Sequence, residues 1–141
     1  MRNNDGSLGQ AQLRAELNRC EYCEEKPCQA ACPAHCAPAD FIMAARSGER
    51  NGRRRAGALI LGSNPLGWVC GVVCPDTFCM AACSRRGFDR LTDIPAVQAI
   101  VRKRAYAAGL CSFRAPAADG KRIAVIGSGP AGLGAAAVLA Q

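Results

Sequence analysis

Cys70-Gly71-Val72-Val73-Cys74-Pro75-Asp76-Thr77-Phe78-Cys79-Met80-Ala81-Ala82-Cys83 sets four cysteines and a Cys-Pro step in one short run. An earlier stretch has the form C-x2-C-x4-C-x3-C-P, through Cys20, Cys23, Cys28, Cys32 and Pro33. Thiolates bind zinc and iron–sulfur clusters alike. Zinc sites usually present two separated CxxC pairs, whereas four closely spaced thiolates per run suit a bulky cuboidal cluster. A proline after the last cysteine stiffens the exit and removes a donor N–H. In bacterial ferredoxin runs the cysteine before the proline ligates the other cluster. On that pattern Cys20, Cys23 and Cys28 hold one cluster and take a thiolate from the later run, while Cys32 reaches across to the second. The two runs then form one site. A zinc-stabilised module docking on a partner protein is the alternative reading.

The chain has 141 residues, room for one ordinary domain with an appendage. Its first residues, MRNNDGSLGQ, lack the apolar segment of a secretory signal, and no run reaches the roughly 18 apolar residues of a membrane span. A cytoplasmic, reducing setting is therefore expected, with no membrane partner; there ten cysteines at such spacing favour metal or clusters over disulfides. Eighteen Lys and Arg against 11 Asp and Glu give a formal charge of +7. Seven ligating thiolates subtract seven and two cluster cores of about +2 each return four, which leaves about +4. With 5% aromatic residues there is little on which bases could stack, so nucleic acid is not favoured.

Residues 1–7 read as a frayed start. Leu8, Ala11, Leu13, Ala15 and Leu17 recur at helical spacing, so a helix leads into Cys20. Asp40 suits the N-cap of a short helix to Arg46, with Phe41, Ile42 and Ala45 inward. Gly48 to Gly52 reads as a turn before a helix over Arg53–Leu61, stopped by Gly62-Ser63-Asn64-Pro65. Pro95 opens a further helix with Val97, Ile100, Val101 and Tyr106 on one side. Trp68 is expected in the core or shielding a cluster, and Cys36 and Cys111 as small, partly buried hydrophobes. His35, the single histidine, reads as a surface or hydrogen-bonded residue, and Arg53-Arg54-Arg55 as a solvated helix start.

Ala115 to Gly120 is a short linker, and composition changes there from cysteine-rich to Gly/Ala-rich; a boundary near Gly120 divides residues 1–120 from 121–141. Lys121 to Ile126 reads as a strand, followed by Gly127-Ser128-Gly129-Pro130-Ala131-Gly132 and a helix toward Gln141. In that context Gly127, Gly129 and Gly132 permit a tight turn and close approach of a pyrophosphate, with Pro130 and Ala131 opening the helix. The acidic residue expected about 20 positions later falls beyond Gln141. The sequence therefore reads as the front of a longer chain.

These pieces resemble the N-terminal region of the glutamate synthase small-subunit family, shared with dihydropyrimidine dehydrogenase. The resemblance rests on R-C-x2-C-x4-C-x3-C-P at Arg19–Pro33, N-P-L-G-x-V-C-G-x-V-C-P at Asn64–Pro75 and V-I-G-S-G-P-A-G-L at Val125–Leu133. It implies a small, mainly α domain carrying two 4Fe–4S clusters, followed by the truncated start of a Rossmann-like FAD/NAD(P)-binding domain. It implies that Cys20, Cys23, Cys28 and Cys83 hold one cluster and that Cys32, Cys74 and Cys79 hold most of the other. Ile94-Pro95-Ala96-Val97-Gln98 matches the family's I-G-G-L-Q stretch and nominates Gln98 as the last ligand, with Cys70 its rival. The gap from Cys74 to Cys79 is one residue shorter than in dihydropyrimidine dehydrogenase. The implied role is one-electron transfer between FAD, reduced by NAD(P)H elsewhere in the full-length protein, and a partner oxidoreductase subunit or C-terminal catalytic domains. No residue of this stretch is expected to break bonds in an organic substrate, so it is not catalytic by itself.

Overall fold

The computed structural model describes residues 8–111 and 116–140. The expected frayed start at residues 1–7, Ala115 at the head of the linker, and Gln141 lie outside the described residues. The described chain is mainly helical: α1 (Gln10–Arg19), α2 (Pro27–Ala30), α3 (Pro38–Arg46), α4 (Arg50–Ser63), α5 (Gly67–Val73), a 3-10 turn (Ser84–Gly87), α6 (Ile94–Ala107) and α7 (Pro130–Leu139). Among the described residues there is no β-strand.

Prolines at the helix starts set much of this pattern. Pro27, Pro38, Pro95 and Pro130 each lie in a first turn, where the missing N–H is harmless and φ is already helical. The side chain of Asp93 caps α6 by accepting from the backbone N–H of Ala96. α3 packs on α4 and α5 on α6, with α1 laid across α3 and α6. Leu13, Leu17, Phe41, Ile42, Ile60, Val97 and Val101 fill the space between them. α5 and α6 approach so closely that a Cβ on Gly71 would stand 2.5 Å from the backbone nitrogen of Ala99. Only glycine fits there, and it lets α5, which carries Cys70, lie close against α6.

Several local expectations are corrected. α4 begins at Arg50, so Gly52 lies inside a helix, and Arg53-Arg54-Arg55 are exposed on its second turn rather than at its start. Asp40 is not a cap; it lies in the first turn of α3 with its carboxylate turned to the cysteine loop. Tyr106 is 66% exposed and Trp68 44%, so neither belongs to the core. Lys121 to Ile126 forms no strand, because among the described residues nothing pairs with it. No single helix is long and apolar enough to cross a membrane; α4 and α5 pass that test only as a pair bent by 85°.

One buried carboxylate joins α1 to α6. Glu16 is 4% exposed, accepts from the backbone N–H of Asp93 at 2.9 Å and pairs with Arg90. Replacing it with alanine removes that hydrogen bond and the partner of Arg90, and a loss of about 1–3 kcal/mol is expected in chemical denaturation.

Candidate metal centre

The chain doubles back so that residues 19–23 face residues 83–92, and a chain of charges holds the two together. Arg19 grips Asp89 with both guanidinium nitrogens, at 3.1 and 2.8 Å, and also donates to the Arg90 carbonyl. Arg85 grips the same carboxylate at 3.2 and 2.7 Å and reaches Glu21 at 2.5 Å. The two arginines hold the Asp89 carboxyl below its ordinary range. Arg46 donates to the carbonyls of Leu17 and Cys20, satisfying the end of α1 and fixing where Cys20 leaves it.

This arrangement brings Cys20, Cys23, Cys28 and Cys83 around one small cavity, partly open to solvent. Pro27, Ala39, Ile42 and Ile94 supply apolar wall, and Lys26 and Arg85 stand at the rim. The Cys23 thiol donates to the Ser84 hydroxyl at 3.2 Å, and the Cys83 sulfur lies 4.0 Å from the Thr92 hydroxyl. Burial raises Cys20, and Cys23 and Cys83 beside it add to the rise. Burial, with Cys20 and Cys83 adding, pushes Cys28 up to about 11. Against that, the backbone N–H of Ala39 donates to the Cys28 sulfur. Among the described residues no three Cys, His, Asp or Glu converge tightly enough to hold a single metal ion. The thiols ring a space instead of a point.

A second group lies beside the first. Burial pushes the Cys36 thiol up to about 12, with Cys32, Cys70 and Cys74 adding to the rise, and burial raises Cys74, with Cys70 and Cys32 adding. Burial pushes Cys79 up to about 12, and its neighbours Cys32 and Cys28 add to the rise. Cys28 and Cys79 thus stand where the two groups meet. Gln98 is buried on α6 and donates its Nε2 to the Gly67 carbonyl at 2.7 Å. Cys111 packs apart from both groups, near Gly57 on α4. All ten cysteines are free of disulfides.

The cysteine loops are strained where they must bend most sharply. Tyr22, Lys26 and His35 have φ of 53°, 44° and 46°, each in a gap between successive cysteines. Such left-handed backbone costs roughly 1–3 kcal/mol per residue and needs a restraint. Asp40 supplies it for two of the three. It accepts from the Tyr22 hydroxyl at 2.9 Å and from Lys26 Nζ at 2.8 and 3.1 Å, while Lys26 lies 5.0 Å from the Tyr22 ring centre. Nothing in the sequence marked Asp40 for this task, since its partners lie 14 and 18 residues away. Asp40→Ala should leave the helices intact by circular dichroism and release metal from the loop to a chelator several-fold faster. Lys26 holds the Asp40 carboxyl low, so the clamp is complete above the ordinary carboxyl value of about 4 and is lost as pH falls through the lowered one. Chelator release should therefore quicken below about pH 4 in the parent chain and be fast throughout in the variant.

Beyond the helical domain, Gly127 has φ of 109°, and a Cβ on Gly132 would collide with the Gly127 carbonyl. Glycine is required at both places. Gly129 precedes α7, with Pro130 and Ala131 as its first residues.

A ring of thiols drawn from two distant runs, with a second thiol group beside it, defines a cysteine-rich metal domain. Residues 2–110 match the family described as dihydropyrimidine dehydrogenase domain II, 4Fe-4S cluster, and the chain belongs to that family. Among curated relatives, the NAD-dependent dihydropyrimidine dehydrogenase subunit PreT of Escherichia coli is 36% identical over 125 residues, 88% of this chain and 30% of its own length. The putative oxidoreductase UacF of Escherichia coli is 34% identical over 139 residues, 95% of this chain and 21% of its own length. The glutamate synthase [NADPH] small chain of Escherichia coli is 30% identical over 136 residues, 95% of this chain and 28% of its own length. The chain thus spans less than a third of these relatives.

Proposed function

We propose that this domain transfers single electrons through two 4Fe–4S clusters, between a flavin and a partner subunit or catalytic domain. The carrying observation is the cavity ringed by Cys20, Cys23, Cys28 and Cys83, which unites thiols from both runs in a member of a 4Fe–4S family. The donor set fits: four sulfurs, apolar walls and backbone N–H groups aimed at sulfur are what such a group needs. When bound, a 4Fe–4S cluster accepts and returns one electron at a time. Cys20, Cys23, Cys28 and Cys83 hold the first cluster, each exchanging a thiol proton for a bond to iron. Cys32, Cys74 and Cys79 hold the second, whose remaining position falls to Gln98 or to another thiol. The Ala39 N–H stabilises sulfur charge, and Ile42 and Ile94 limit water. The Ser84 and Thr92 hydroxyls, acceptors from the Cys23 and Cys83 thiols, would turn to donate once those sulfurs lose their protons.

In this reading residues 121–139 open an FAD-binding unit, supported by the obligatory glycines at 127 and 132 and by the exposed apolar side chains Ile123 and Ile126. NAD(P)H delivers hydride to that flavin outside this stretch, and the electrons leave for a partner oxidoreductase, as the subunit names of the relatives suggest. Anaerobic purification with iron and sulfide analysis is the test. About eight irons and eight sulfides per chain are expected, with a broad brown absorption bleached by dithionite. About two zinc ions, without sulfide or colour, would replace this reading with a zinc-stabilised interaction module.

A further inference from the structure

A recess that no cysteine lines opens between α1, the turn joining α3 to α4, and α6. Four arginines from four helices line it: Arg14 on α1, Arg46 at the end of α3, Arg53 on α4 and Arg104 on α6. The buried side chains of Leu13, Leu17, Ala45 and Val101 add apolar wall. No Asp or Glu among the described residues lines it. Four like charges gathered at one hollow repel one another, and an anion seated among them would relieve the repulsion.

The contacts these arginines make leave that charge uncancelled. Arg46 donates to the Leu17 carbonyl from Nε at 3.2 Å and from Nη2 at 2.8 Å, and to the Cys20 carbonyl from Nη2. Arg53 donates to the Gly48 carbonyl and Arg104 to the side-chain carbonyl of Gln10. Every one of these acceptors is a neutral oxygen. They aim three guanidinium groups without neutralising them, and since each guanidinium carries five N–H donors, donors remain on all four. Among the described residues none of the four is in an ion pair. The carboxylates adjacent in sequence do not serve: Glu16 is buried against Arg90 and the Asp93 N–H, and the exposed Glu49 pairs with none of them.

We propose that this recess binds a small molecule through a multiply charged phosphate group. The forks come from four different helices, and that arrangement selects among anions. A carboxylate offers two oxygens in one plane and suits a single fork. A phosphate offers its outer oxygens in several directions, and a diphosphate offers more of them, so several forks can engage at once. The site is independent of the cluster reading, because none of its residues is a thiol.

Calorimetric titration of the full chain with inorganic pyrophosphate at low salt is the test. Saturable one-to-one binding is expected, weaker for inorganic phosphate and weaker as salt rises. Arg14→Gln and Arg53→Gln should each weaken pyrophosphate binding about tenfold or more. Both side chains are exposed, so the helical circular dichroism and the melting temperature of the metal-free chain should be kept. Arg54→Gln and Arg55→Gln remove the same charge from neighbouring positions of α4 outside the recess, and should change the affinity less than about threefold. Arg46 is left in place because it also holds the end of α1. Absence of saturable pyrophosphate binding would overturn the proposal. So would an equal loss in the Arg54 and Arg55 variants, which would mark diffuse surface charge. Tighter binding of a hexaglutamate peptide, lost in the Arg14 and Arg53 variants, would overturn it in favour of a dock for an acidic protein segment. Iron and sulfide content enters none of these outcomes, so this site and the electron-transfer reading fail separately.

Discussion

Cys83→Ala should cost the domain about half its iron, and the component it loses should be the one lost by Cys28→Ala, not by Cys79→Ala. The reason is geometric. Cys83 is only four positions beyond Cys79 in the chain, but its sulfur lines the cavity of Cys20, Cys23 and Cys28, next to Ser84 and Thr92. Cys79 does not line that cavity, and its strongest influences among the cysteines are Cys32 and then Cys28, with Cys74 a weaker one. Two clusters in inequivalent surroundings give separable EPR signals in the reduced state, so the pairing can be read directly. Cys28 and Cys83 variants should erase one signal, and Cys32 and Cys79 variants the other. If Cys83 and Cys79 variants erased the same signal, each run would serve its own cluster and the crossed pairing would be wrong. Cys83 is only partly buried, so the metal-free fold should survive the substitution, which keeps the comparison clean.

Phe41→Ala should destabilise the metal-free domain by about 3–5 kcal/mol, a large share of the roughly 5–15 kcal/mol that holds a domain of this size folded. Phe41 is wholly buried on α3, the helix that touches α1, α2, α4 and α6. Truncating it leaves a void where rigid helices cannot close in. The denaturation midpoint should fall with an unchanged slope, the mark of lost stability rather than of a looser unfolded state. The damage should extend to the thiols. Its neighbours on α3 are Asp40, which clamps Tyr22 and Lys26, and Ile42 and Ala39, which wall the first cavity. Phe41→Leu keeps most of the volume and should retain both stability and iron loading. A midpoint unchanged by Phe41→Ala would show that α3 is not the keystone of the bundle.

Local chemistry was the part of this protein that the sequence disclosed. The helices opened by Pro95 and Pro130 and the apolar faces at Phe41, Ile42, Val97 and Val101 are short-range signals, and the structure places them as expected; that Pro27 and Pro38 also open helices was not foreseen. The meeting of Cys83 with the first run came from family resemblance, since its partners lie about 55–63 residues away and no periodicity links them. Asp40 read as a cap because a carboxylate near a helix start usually is one; its partners in the cysteine loop are tertiary. Tyr106 shares the helical phase of Val97, Ile100 and Val101 yet faces solvent, and Trp68, expected in the core or shielding a cluster, lies outside the core. Lys121 to Ile126 has the composition of a strand, but a strand is a property of two segments, not of one.

The ionic lock between Arg19 and Asp89 also bears on the order in which the chain folds. α3 with α4 and α5 with α6 are pairs close in sequence, cheap to close and suited to early assembly. The lock joins residues 70 positions apart and can form only after those pairs have docked. The first cavity is therefore expected to assemble late, and its rim to be among the first places where native contacts give way. In hydrogen exchange the amides of residues 19–23 and 85–90 should open by local fluctuation, while those of α4 and α6 wait for global unfolding.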